Sequence, residues 1–96
     1  MQQYVIYAFD HTDDQALDRR MSVRPAHLEG VKKLKASGNF ILGGAILSPE
    51  GKMIGSTMIM QFETETGLQE WYDHEPYIQG GVWERIDIRP FRVANV

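Results

Sequence analysis

The segment Tyr4-Val5-Ile6-Tyr7-Ala8-Phe9 restricts the fold more than any other, because it is a β-branched and aromatic run in which both parities are apolar. A strand sends successive side chains to opposite faces, so this one must be covered from both sides. Residues 55–62 read the same way, with Thr57 and Ile59 alternating with Met58, Met60 and Phe62. A chain of 96 residues buries a limited share of its surface, and association is a common way to bury more. Two-faced strands in a short chain therefore predict a homodimer.

The remaining elements follow from local signals. Asp10 closes the first strand. Thr12 fits the N-cap of a short helix using Ala16, Leu17 and Met21, with Asp13 and Asp14 where the helix dipole favours negative charge. Ser22 and Val23 read as a break, because the residue before a proline is pushed out of the α region and Pro25 suits the first position of a new helix. That helix is expected over residues 25–37, with an apolar stripe of Leu28, Val31 and Leu34 and a left-handed cap at Gly38. Residues 39–47 predict a second strand carrying Gly43 and Gly44, where missing side chains permit a bulge or the close approach of a ligand. A turn at 48–52 leads to the third strand and a hairpin. Thr66 and Gln69 fit a capping box for a helix with Leu68, Trp71 and Tyr72 on one face, ending by Pro76. Residues 82–93 predict a long final strand, Ile86 and Ile88 alternating with Arg85, Asp87 and Arg89, and Pro90 marking an edge or bend.

This order, β-α-β-β-α-β, predicts one α+β domain over residues 1–96: a ferredoxin-like four-stranded antiparallel sheet with both helices on one face. The other face would be bare and apolar, and sheet-to-sheet pairing of two copies would cover it.

Composition removes several functions. A net charge of −3 argues against nucleic acid, which calls for a dense basic face. No apolar run approaches the roughly 20 residues that span a bilayer, and Met1-Gln2-Gln3 enters a strand with no basic region and apolar signal core, so neither membrane nor export is expected and a cytoplasmic location is the default. Zero cysteines exclude disulfides, thiolate catalysis and Cys-based metal sites. His11 and His74 have no spacing that would make a metal site with His27, so no metal is expected.

His27 is the most informative residue. It lies about 40° from Val31 and about 20° from Leu34 around a helix, which turns it toward the sheet, and as a first-turn residue it would sit where the dipole favours a neutral ring. Such an imidazole can act as a general base or donate to a substrate. The plainer alternative is a core histidine tied to a backbone carbonyl. Asp10 at the end of the first strand could orient the ring, or merely cap the helix that follows; Glu75 is a second acid able to reach the region, or a solvated helix-end charge. Arg20 and Arg24, just before His27, would suit a substrate carboxylate or phenolate, although such charges more often form surface pairs.

Together, Tyr4 to Asp10, Arg20-Met21-Ser22-Val23-Arg24-Pro25-Ala26-His27-Leu28, Gly55-Ser56-Thr57, Glu75-Pro76-Tyr77, and Gly81-Val82-Trp83 to Arg89-Pro90-Phe91 carry a resemblance. The chain resembles the YciI-like proteins of the YCII-related family over nearly its full length, Arg24 to Leu28 being the most specific piece. The resemblance implies a dimeric α/β-barrel form of the ferredoxin-like fold. It also implies an active-site cleft with a histidine and an aspartate, and one relative is a dehydrochlorinase acting on a chlorinated hydroxyhydroquinone. Carried over by position, the histidine is His27 and the first-strand acid Asp10. The family's Asp-Pro-Tyr/Phe motif stands here as Glu75-Pro76-Tyr77, a longer acid, and its Ala-Gly-Pro segment as Gly43-Gly44-Ala45, which reshapes the pocket floor.

The reading that follows is a small cofactor-free enzyme in which His27, held by Asp10 or Glu75, moves a proton on, or eliminates a leaving group from, a small aromatic or anionic substrate. Alternatives are a noncatalytic ligand-binding or accessory dimer using the same cleft, and a purely structural dimer. A cofactor-free oxygenase on the same fold is a further enzyme option with no residue here that singles it out.

Overall fold

The computed structural model describes residues 1–96. The elements run β1 (Gln2–Asp10), α1 (Ala16–Ala36), β2 (Phe40–Leu47), β3 (Met53–Phe62), α2 (Glu65–His74), α3 (Pro76–Gln79) and β4 (Trp83–Phe91). The strands form one antiparallel sheet in the order β2-β3-β1-β4, the ferredoxin-like arrangement. No helix is long and apolar enough to cross a membrane.

Strand parity divides β1 cleanly. Tyr4, Ile6, Ala8 and Asp10 are buried, as are Ser56, Met58, Met60 and Phe62 of β3, and with Trp71, Tyr77, Val82 and Trp83 they form the buried interior under the helices. Complete burial of a side chain such as Ile6 is worth about 1.5–3 kcal/mol, so this layer supplies most of the driving force for folding. The opposite parity, Val5, Tyr7 and Phe9, lies on the other face, where the register sets Ile59 and Thr57 beside Val5 and Tyr7, and Leu42 beside Ile59. Tyr7 is 48% exposed and Leu42 66% exposed there.

The first helix departs from expectation. Instead of two short helices broken before Pro25, α1 is one helix of 21 residues with the proline inside it, and Arg24 is helical despite preceding Pro25. The carbonyl left without a donor by Pro25 belongs to Met21, an exposed residue, where water can serve it. Tertiary anchors on both sides of the proline hold the turns in line: Arg20 and His27, seven positions and hence about 20° apart around the axis, are the buried residues of the helix. Val31 and Leu34 pack on the core, whereas Leu17, Met21 and Leu28 stay partly exposed. Thr12 caps nothing; Gln15 precedes the first turn without a side-chain bond. The C-terminus ends as the glycine signal predicts. Gly38 has φ +80°, its N–H reaching Lys35 O and that of Asn39 reaching Leu34 O, a Schellman motif.

Two further local differences matter below. Thr64, not Thr66, caps α2, its hydroxyl accepting from the Gly67 N–H. The chain then forms the extra turn α3, begun by Glu75 as N-cap and Pro76 as first residue.

Candidate active site

Three elements bring the site together. The glutamate that caps α3 accepts the Tyr77 N–H at Oε1, 3.1 Å, and so is fixed in place by the turn it begins. The same Oε1 lies 2.6 Å from His27 Nδ1, and Oε2 accepts from Trp71 Nε1 at 3.2 Å. Three N–H donors thus converge on one buried carboxylate, which has acceptor sites for all of them. An ionised carboxylate can only accept, so in that state of Glu75 the hydrogen lies on His27 Nδ1; Nε2 has no protein partner. The imidazole stacks on Tyr77, centroids 4.0 Å apart and planes at 14°, and meets Trp83 edge-on at 6.3 Å.

The position of His27 along α1 corrects one expectation. With the helix beginning at Ala16, the ring lies about three turns in, and a dipole effect that fades within the first turn does not reach it. Glu75 and Tyr77, not the helix end, define its surroundings.

Asp10 does not touch the imidazole. It forms a buried ion pair with Arg20, whose Nη1 donates to both Asp10 oxygens at 2.9 and 3.2 Å, while Nη2 donates to Ser56 Oγ at 2.8 Å. A β-bulge after Phe9 sets Asp10 opposite Trp83 and turns the indole inward, where its Nε1 donates to the same Ser56 oxygen at 3.3 Å. Arg20 also lies over the Tyr77 ring, 4.7 Å from its centroid. Burial pushes the Asp10 carboxyl above its ordinary range, with the Arg20 charge pulling it part of the way back. Burial likewise raises the Tyr77 phenol, which stays protonated at neutral pH.

A pocket of about 90 Å³ opens beside these groups, lined by His27, Arg20, Arg24, Ser56 and Tyr77 on one side and by Phe40, Gly43 and Gly44 on the other. Arg24 forms no ion pair and Arg20 only the internal one. The floor depends on glycine at one position: a Cβ on Gly43 would meet Thr57 O at 2.8 Å and the Phe40 ring at 3.0 Å, so its absence lets that ring lie across the strand. At Gly44 nothing lies within 4 Å. The pocket is far smaller than the roughly 300–1,000 Å³ of drug-sized sites, a size that suits a single small ring or a short acid. A wider hollow of about 720 Å³ at the β1–α1 loop is lined by Asp13, Asp14 and Asp18 but lacks His27.

Sequence reasoning passed over Ser56, Tyr77 and Trp71 as parts of this cluster. Ser56, quoted only within the Gly55-Ser56-Thr57 segment, had a further available signal, a lone hydroxyl at an inward position of an otherwise Met- and Phe-lined strand. Trp71 read as part of an apolar helix face and Tyr77 only as the last residue of the Glu75-Pro76-Tyr77 segment; both lie in the core, with a polar end that the sequence does not aim.

Comparison with known proteins adds the following. A model of the YCII-related domain matches residues 2–92. Protein YciI of Escherichia coli O6:H1 is 37% identical over 95 residues, covering 93% of this chain and 95% of its own. Among solved structures, the 5-chloro-2-hydroxyhydroquinone dehydrochlorinase TftG of Burkholderia phenoliruptrix AC1100, in complex with 2,5-dihydroxybenzoquinone, superposes with a TM-score of 0.84 at 23% identity, over 96% of this chain and 95% of that one. A dimeric ferredoxin-like protein from Jannaschia sp. CCS1 does so with a TM-score of 0.56 at 13% identity, over 97% of this chain and 100% of that one. At these identities the structural likeness is one of fold.

Proposed function

Since the chain belongs to the YCII-related family, by its match over residues 2–92 and its 37% identity to protein YciI, we propose that it is a small cofactor-free enzyme in which His27 and Glu75 act as an acid–base pair on a single-ring, anionic substrate. The observation that carries this reading is the 2.6 Å contact of Glu75 Oε1 with His27 Nδ1 beside a pocket that His27 also lines. Glu75 fixes the tautomer and ring plane, and Nε2 takes a proton from the substrate or returns one to a departing group. In an elimination from a chlorinated hydroquinone, the ring first tautomerises, a proton moving from one hydroxyl to the carbon that bears chlorine; the opposite hydroxyl then gives its proton to Nε2 as its O–H pair forms C=O, the ring double bond shifts, and chloride departs with the C–Cl pair, leaving a quinone. Arg24 holds substrate charge at the pocket mouth. A dehydrochlorinase of the same fold, TftG, acting on a chlorinated hydroxyhydroquinone, supports elimination from a ring as the first reaction to try.

The working unit in this reading is a homodimer joined through the open sheet face, where Tyr7 and Leu42 are exposed. Light scattering checks it: Leu42→Asp should yield monomers from a wild-type dimer, and a monomeric wild type rules the dimer out.

Small chlorinated hydroquinones, phenols and lactones, screened together for thermal shift and product formation, test the chemistry. Wild type is expected to turn over at least one compound, with His27→Ala about 100-fold slower or worse. Stabilisation by a compound that is never turned over, lost in His27→Ala, would instead favour a noncatalytic binding module. Unchanged turnover in His27→Ala would end the acid–base reading.

A further inference from the structure

Ser56 Oγ is 2% exposed as a residue and already accepts two hydrogen bonds, from Arg20 Nη2 at 2.8 Å and from Trp83 Nε1 at 3.3 Å. Both donors can only donate. A serine hydroxyl has two acceptor sites and one proton, so its acceptor capacity is full and its proton has no acceptor within the protein. With both lone pairs engaged, Ser56 is unsuited to be a nucleophile. The residue lines the pocket, as do Arg20 and Tyr77. Two polar atoms of other pocket-lining residues, Arg20 Nε and the Tyr77 hydroxyl, are also buried without a partner. Burial without a partner costs about 1–3 kcal/mol for such a group, so the unaccepted Ser56 proton beside the pocket points to a missing acceptor.

We infer that Ser56 is the ligand-contacting donor of an oxyanion site in this pocket, with Arg20 acting through it, and that the occupant is a small planar ring bearing a phenolate or carboxylate oxygen. Arg20 is then a positioning residue, not a direct substrate ligand. Its Nη atoms are held by Asp10 and Ser56, and its charge reaches the occupant by polarising the Ser56 O–H. Asp10 holds Arg20 in that pose.

This inference rests on the proposed use of the pocket and adds the substrate's charged group and the residue that recognises it. The test measures binding of 4-nitrophenolate, benzoate and neutral 4-nitroanisole to the unmodified protein, Ser56→Ala and His27→Ala. Unmodified protein should prefer at least one anion to 4-nitroanisole by about tenfold or more, and Ser56→Ala should lose about that factor for the anion while binding 4-nitroanisole unchanged. Which anion wins distinguishes phenolate from carboxylate. In unmutated protein the favoured anion should also shift the Trp83 Nε1–H NMR signal, because the ligand pulls on the hydroxyl to which that N–H donates; this readout does not depend on any variant folding. Equal binding of all three compounds, or an anion preference that survives Ser56→Ala, overturns the inference. Should His27→Ala abolish the preference while Ser56→Ala keeps it, the charge is read by the imidazole: the oxyanion site falls and the His27–Glu75 reading stands. Retained anion preference in a protein that turns nothing over has the opposite meaning.

Discussion

Two buried acid–base pairs lie against the same tyrosine ring, each joining α1 to another element, and they differ in what they leave free. Arg20 and Asp10 form a pair whose Nη donors are both held within the protein, one by the carboxylate and one by Ser56. His27 and Glu75 form a pair in which the acid is held by His27, Trp71 and the Tyr77 N–H, but the base lines the pocket with Nε2 unbonded within the protein. The first arrangement resists change, because any loss strands a buried charge. In the second, the acid survives the loss of its base with two donors in place. Reactive capacity follows from that asymmetry and not from burial, which the two pairs share.

The comparison breaks most easily on stability. Arg20→Met should lower unfolding free energy by about 3–5 kcal/mol in urea titration, the usual cost of removing one partner of a buried ion pair. The loss should be smaller in acid. A carboxyl raised in the folded state favours folding below its ordinary 3.8, and that contribution disappears as pH rises through the raised value. His27→Ala should cost less, about 1–3 kcal/mol, because Trp71 and Tyr77 still satisfy Glu75. Equal losses in the two variants would contradict the distinction between a closed and an open pair.

An exposed pair sets the lower end of the scale. Arg19 donates to both oxygens of Asp13 and holds that carboxyl down at about 2. Its stabilising contribution is complete above the ordinary value of 3.8 and is lost as pH falls through about 2. Asp13→Asn should therefore change the urea midpoint slightly at pH 5 and not at all near pH 1.5, a difference smaller than either buried variant gives.

The sheet was legible because strand parity is a local property that the buried interior simply obeys: Tyr4, Ile6 and Ala8 inward, Val5, Tyr7 and Phe9 outward. Gly38 was legible for the same reason, since only glycine takes its φ of +80° without strain. The continuity of α1 was not. Pro25 is a local helix-breaking signal, and what overrides it, the anchoring of Arg20 to Asp10 and of His27 to Glu75, joins residues 10 and 48 positions apart. In the candidate site the identity of the polar residues could be read but not their pairing. Asp10 and Glu75 looked equivalent as partners for His27 until the bulge after Phe9 and the α3 turn gave each a direction. Ser56 stood in the Gly55-Ser56-Thr57 segment with no role attached, and its significance comes only from counting which donors already occupy it.

Nitrogen NMR of the His27 ring is the most direct measurement of the account. The neutral imidazole should carry its hydrogen on Nδ1 and leave Nε2 bare, with signals that move in Glu75→Gln and stay in place in Asp10→Asn. An Nε2–H tautomer, or a ring indifferent to Glu75→Gln, would contradict it.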